Sequence, residues 1–123
     1  MDINERLQQE QLGGQPKINP DEQRRYLGTF RERVIAAIKV SQLTDKTIQS
    51  QFEKILTKHS TGKVLIDQTL TTDNFPTFVS LATKTHHPFT VLSDVTVKNQ
   101  VTDPIAVLLA ADTAVNVNTI YLD

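Results

Sequence analysis

The unbroken apolar run Ile105, Ala106, Val107, Leu108, Leu109, Ala110 and Ala111 constrains this chain most. It follows Asp103-Pro104, a turn-forming pair, and has no polar face, the pattern of a strand covered on both sides at the centre of a sheet. Val64, Leu65 and Ile66 follow Gly62 and read as a second buried strand, and residues 89–92 as a third.

Helical signals alternate with these runs. Thr44 or Asp45 is placed to cap a helix whose apolar face carries Ile48, Phe52, Ile55, Leu56 and His59, ending before Ser60-Thr61-Gly62. Asp73 or Asn74 caps a second, with Pro76 in its first turn and a stripe of Phe75, Phe78, Val79, Leu81 and Ala82. Pro88 stops it after His86-His87. Val115, Val117 and residues 120–122 alternate like a further, more exposed strand. Helices joined to buried strands by short connections imply an α/β domain of two or three layers.

The segment from Asp21 to Leu43 fits two periods. Leu27, Phe30, Val34, Ile35 and Ile38 match a helix, whereas Phe30, Val34, Ala36, Ile38 and Val40 fill one face of a strand, and Gly28-Thr29 interrupts the helical reading. Residues 1–20 are rich in glutamine and acid and hold Gly13, Gly14, Pro16 and Pro20, so they read as a flexible N-terminal arm ahead of a single domain over 21–123. Ile3 and Leu7 leave room for a short docked helical turn.

Composition narrows the class. A chain of 123 residues has the size of one domain. With no cysteine, disulfides, thiolate metal sites and a cysteine nucleophile are excluded, and a reducing, cytoplasmic compartment is expected. An acid at position 2 with no apolar run behind it is not a signal peptide, and no stretch reaches the roughly 20 apolar residues of a membrane span. A net charge of −1 gives no general attraction for nucleic acid, so binding of RNA would need a local basic patch.

The phrase Leu27-Gly28-Thr29-Phe30-Arg31-Glu32-Arg33-Val34, preceded by Pro20-Asp21-Glu22-Gln23-Arg24-Arg25-Tyr26 and by Gly14-Gln15-Pro16, resembles the signature of the YueI family of small bacterial proteins. The resemblance extends more loosely through the Phe52 helix and the strands at 63–67 and 104–111. It implies a mixed sheet with a β-α-β-α-β-β core, similar to chorismate-mutase-like and ribosomal L30e-like α/β sandwiches. On that implication residues 30–40 become the first strand. It implies no function, because fold alone carries none.

Arg24, Arg25, Arg31 and Arg33 set four guanidinium groups within ten residues. Their planar forks suit phosphate or carboxylate, so they are the candidate anion or partner contact. If they lie on a strand, Arg31 and Arg33 share one face. The competing and favoured reading has them paired with Glu22, Glu32 and neighbouring acids on a solvated surface.

Other chemistry is weakly indicated. Adjacent His86 and His87 diverge by about 100° on a helix and do not converge on one metal, so with His59 they read as helix-end residues. Ser41, Ser60, Ser80 and Ser93 lack the glycine-flanked setting of a nucleophile elbow. Asp67, Asp94, Asp103 and Asp112 fall near strand ends, where both working acids and ordinary capping acids occur. Gly13, Gly14, Gly28 and Gly62 form no phosphate or dinucleotide motif, so no cofactor is expected. The reading that follows is a non-enzymatic protein-interaction module, ahead of an RNA-binding module using the arginine-rich segment and a small-molecule binder with a site at a subunit interface.

Overall fold

The computed structural model describes residues 25–93 and 102–123. The expected arm and Arg24 lie outside them, as does Asp94. Four strands, β1 (Val34–Lys39), β2 (Lys63–Asp67), β3 (Phe89–Leu92) and β4 (Ile105–Ala110), form one sheet in the order β1-β4-β2-β3. β4 is antiparallel to β1 and β2, while β2 and β3 run parallel. The apolar run at 105–110 thus lies between two strands, and all six of its residues are buried.

Helices α1 (Lys46–Lys58), α2 (Gln68–Thr71) and α3 (Phe75–Lys84) complete the expected β-α-β-α-β-β order, with α2 a short addition directly before α3. Asp45 caps α1, accepting from the amides of Thr47 and Ile48, which otherwise lack intrahelical partners. α1 and α3 pack on one face of the sheet. Ile48, Phe52, Leu56, Phe78 and Ala82 meet Ala36, Ile38, Val64, Ile66, Val107 and Leu109 there, and the rings of Phe52 and Phe78 contact edge to face at 6.3 Å.

The opposite face holds Val34, Ala37, Leu65, Leu108 and Ala110, covered by Leu27, Val117 and Ile120 from irregular segments. The C-terminal segment lies along the outer edge of β1, where the Ala37 amide donates to the Ile120 carbonyl at 2.8 Å and Ala37 bridges Tyr121. The strand expected over 115–122 is reduced to that one bridge. No helix among the described residues is long and apolar enough to cross a membrane.

The first segment departs from both of its sequence readings. Helical periodicity over 21–43 does not prevail, because the β-branched run beginning at Val34 finds the backbone of β4 as a partner. The strand is also shorter than 30–40: Arg31–Arg33 form a 3-10 turn, so these two arginines do not project from a strand. A bulge between Val34 and Ala36 breaks the alternation and turns Ala36 to the helices and Val34 to the opposite face, called the helix-free face because among the described residues neither α1 nor α3 packs on it.

Gly62 shows why the α1 to β2 turn needs glycine. It is buried with φ of +112°, and a Cβ there would stand 3.0 Å from the Ala110 carbonyl oxygen.

Candidate binding site

Of the four arginines, the three that are described, Arg25, Arg31 and Arg33, are dispersed rather than gathered. Arg31 donates from Nη2 to the carbonyls of Val117 at 2.7 Å and Asn118 at 3.2 Å, so it anchors the C-terminal segment. The backbone of the same turn shares the task, since the Glu32 carbonyl accepts from Val115 and Asn116 and the Arg33 carbonyl from Ala111. Arg25 joins Lys39, Asp103 and Tyr121 around a groove of about 400 Å³. Arg33 stacks over the Phe30 ring at 5.9 Å and borders a different cavity.

That cavity, about 380 Å³, opens on the helix-free face. Leu65 and Ala110 form its floor with Leu92 of β3, and the turn at Leu27, Gly28 and Thr29 forms a wall. Arg33 and Lys63 stand on the rim with Asp112. Register explains the arrangement. Lys63 pairs with Ala110, and Leu65 with Leu108 and Thr90, so these side chains share the face that α1 and α3 leave open. Two cations against one carboxylate leave the rim with an excess of positive charge.

The wall is a tight turn in an unusual conformation. Thr29 donates to the Tyr26 carbonyl at 3.1 Å, and the two central residues, Leu27 and Gly28, have φ of +53° and +91°. Positive φ at both positions matches a type I′ turn. Glycine adopts it freely, whereas leucine bears a cost of about 1 to 2 kcal/mol. Leu27 is held there because its side chain is 1% exposed against the core of the helix-free face.

Asp67, Ser41, Asp103 and His87 have structural partners. Asp67 is buried and caps α2 through the Leu70 amide at 3.0 Å. Asp103 accepts from the Ser41 hydroxyl at 2.5 Å and the Ser41 amide at 2.8 Å, and the hydroxyl contact holds its carboxyl below the usual carboxylate range. Burial pushes the Tyr121 phenol up, and the Lys39 ammonium lies 5.1 Å from its ring centroid.

His59 ends α1, and His86 follows α3 with φ of +64°. His87 is instead buried, with Nε2 2.7 Å from the Leu56 carbonyl and Nδ1 3.2 Å from that of Gly62. Carbonyl oxygens only accept, so the single N–H of a neutral imidazole donates to one of these two, and the tautomer decides whether it serves the end of α1 or the glycine turn. Among the described residues no three His, Cys, Asp or Glu side chains are grouped to hold a metal.

Comparison with known proteins agrees with the resemblance carried by the segment at 20–34. A family model described as a protein of unknown function (DUF1694) matches residues 1–121. The uncharacterized protein YueI of Bacillus subtilis (strain 168) is 29% identical over 114 residues, covering 93% of this chain and 83% of the relative. The crystal structure of the YueI protein from Bacillus subtilis matches the fold with a TM-score of 0.73 at 28% identity, over 100% of this chain and 93% of the other.

Proposed function

The chain belongs to the DUF1694 family of proteins of unknown function, and from that premise we propose that it is a non-enzymatic protein-interaction module of the cytoplasm. Its binding surface is the helix-free face of the sheet, and its partner presents an acidic segment there. One observation carries this reading: the only helices of eight or more residues among those described pack on the same face, leaving opposite them a cavity with an apolar floor and rim cations Arg33 and Lys63. Apolar contact area with a charged border is the usual anatomy of a protein interface, and opposite charge on the partner sets orientation and encounter rate. The absence of cysteine supports a reducing compartment.

The test is affinity capture of the tagged full chain from a bacterial lysate with and without RNase, in wild type and in two charge-reversed variants. Arg33→Glu with Lys63→Glu alters the cavity rim, and Lys54→Glu with Lys58→Glu alters exposed positions of α1. A defined protein set that survives RNase, is lost with the rim variant and is kept with the helix variant supports the reading. Binding that disappears with RNase makes the protein an RNA binder instead, and binding indifferent to the rim removes this face from the interface.

A further inference from the structure

We propose that the cavity beneath the turn at Leu27 and Gly28 is a receptor for an amphipathic anion, meaning an apolar group that ends in one carboxylate, sulfonate or phosphate. This rests on the reading of the helix-free face as the binding surface, and it specifies what that surface recognises. The apolar body lies on Leu65, Leu92 and Ala110, and the anionic end meets Arg33 and Lys63.

Size, chemistry and backbone strain support it independently. A volume of about 380 Å³ falls at the lower end of the roughly 300 to 1,000 Å³ of ligand pockets, and the lining is mixed, with Leu65, Leu92 and Ala110 beside the polar groups of Thr29, Thr90, Arg33 and Lys63. Arg33 and Lys63 come from different elements, the turn before β1 and the start of β2, yet border one opening. The guanidinium of Arg33 lies against the Phe30 ring, which limits its freedom and reduces the entropy lost when it grips an oxyanion. Asp112 on the same rim disfavours a ligand carrying several negative charges.

The third support is the wall. Leu27 occupies the left-handed region at φ of +53° beside the opening, with its side chain pinned in the core. A non-glycine residue held in that region marks a place where the surrounding structure dictates the backbone, and such places concentrate at binding sites. Among the described residues nothing lies within 4 Å of where a Cβ on Gly28 would stand, so this part of the turn is not packed against protein.

The experiment uses anilinonaphthalene sulfonate, an aromatic body with one sulfonate, and N-phenylnaphthylamine, a closely related body without the charge. Fluorescence titrations of the full chain in native buffer compare wild type with Arg33→Gln, Lys63→Gln, their double variant, and Lys39→Gln as a cation outside the cavity. Exposed charge pairs contribute modestly, so each rim variant is expected to weaken the sulfonate by about fivefold and the double variant by more. Lys39→Gln and the uncharged probe should show no change. Sulfonate binding that ignores Arg33 and Lys63, parallel losses of both probes, or no binding at all overturns the proposal.

This failure is distinguishable from failure of the interaction reading. Captured protein that still depends on Arg33 and Lys63 keeps the face as an interface and removes only the amphipathic-anion chemistry. A sulfonate site intact in a chain that captures no protein does the reverse. If both hold, competition by the sulfonate against captured protein tells whether the anion belongs to the partner or to a free small molecule.

Discussion

The two faces of the sheet are closed in different ways. On one, α1 and α3 set Phe52 and Phe78, both 0% exposed, into a continuous layer with Val64, Ile66, Val107 and Leu109. On the other, a strained turn and the C-terminal segment cover Val34, Ala37 and Leu108 but stop short of Leu92, which stays half-buried beside the cavity. In the proposed reading the contrast separates two tasks within one sheet. A helix-packed face supplies stability through close contact, while a face covered by irregular backbone leaves space and charge for a ligand.

Truncation in the helix layer should have the largest effect. Phe52→Ala is expected to lower unfolding free energy by about 4 kcal/mol in urea titrations, because a buried ring leaves a cavity that its neighbours fill only partly. A loss of under about 1 kcal/mol, the range of ordinary surface changes, would show that the helix-side core is not what stabilises the fold.

Leu27 sharpens the comparison. Leu27→Ala should cost about 3 kcal/mol, but Leu27→Gly should be no worse than alanine, since glycine occupies φ of +53° without strain. At Leu56, within α1, glycine should be worse than alanine by about 1 kcal/mol. If both positions rank alanine above glycine, the turn is not strained.

Arg31→Ala removes two donors to the C-terminal segment and should destabilise by about 1 to 2 kcal/mol. Hydrogen exchange should then quicken at the Ala37 amide, which bonds the Ile120 carbonyl, before it quickens in the helix layer. Uniform acceleration would mean that the tail and the sheet open as one unit.

The smallest effect concerns acid. Asp103 has its carboxyl held below the ordinary value of 3.8 by the Ser41 hydroxyl, so the contact stabilises the fold while the carboxylate is ionised. Its contribution is complete above the unfolded value and is lost as pH falls through the lower, folded one. Asp103→Asn should therefore flatten the acid limb of a stability against pH curve slightly, and an unchanged limb would show that the Ser41 contact is not maintained in solution.

Much of this fold was legible because its signals are local. The apolar run became β4, Asp45 capped α1, and the stripe after Asn74 became α3. What stayed hidden depends on distant partners. The bulge at Val34 and Ala36 exists only against β4, and the strand expected over 30–40 is cut short by the 3-10 turns on either side of it. His87 reads as a helix-end residue until Leu56 and Gly62, 31 and 25 residues away, are folded against it. The cavity is lined from five separate stretches, so nothing in the spacing of Arg33 and Lys63 announces it. The arginine cluster was visible as composition, but the 3-10 turn at Arg31–Arg33 sends Arg31 to the C-terminal segment and Arg33 to the cavity.

The most direct test of the central claim, that the helix-free face is where this protein binds, is methyl NMR of the full chain titrated with anilinonaphthalene sulfonate. Shifts concentrated at Leu27, Leu65 and Leu92, with Val79, Leu81 and Leu56 still, are the predicted result. Shifts centred on the methyls of α1 and α3 would contradict it.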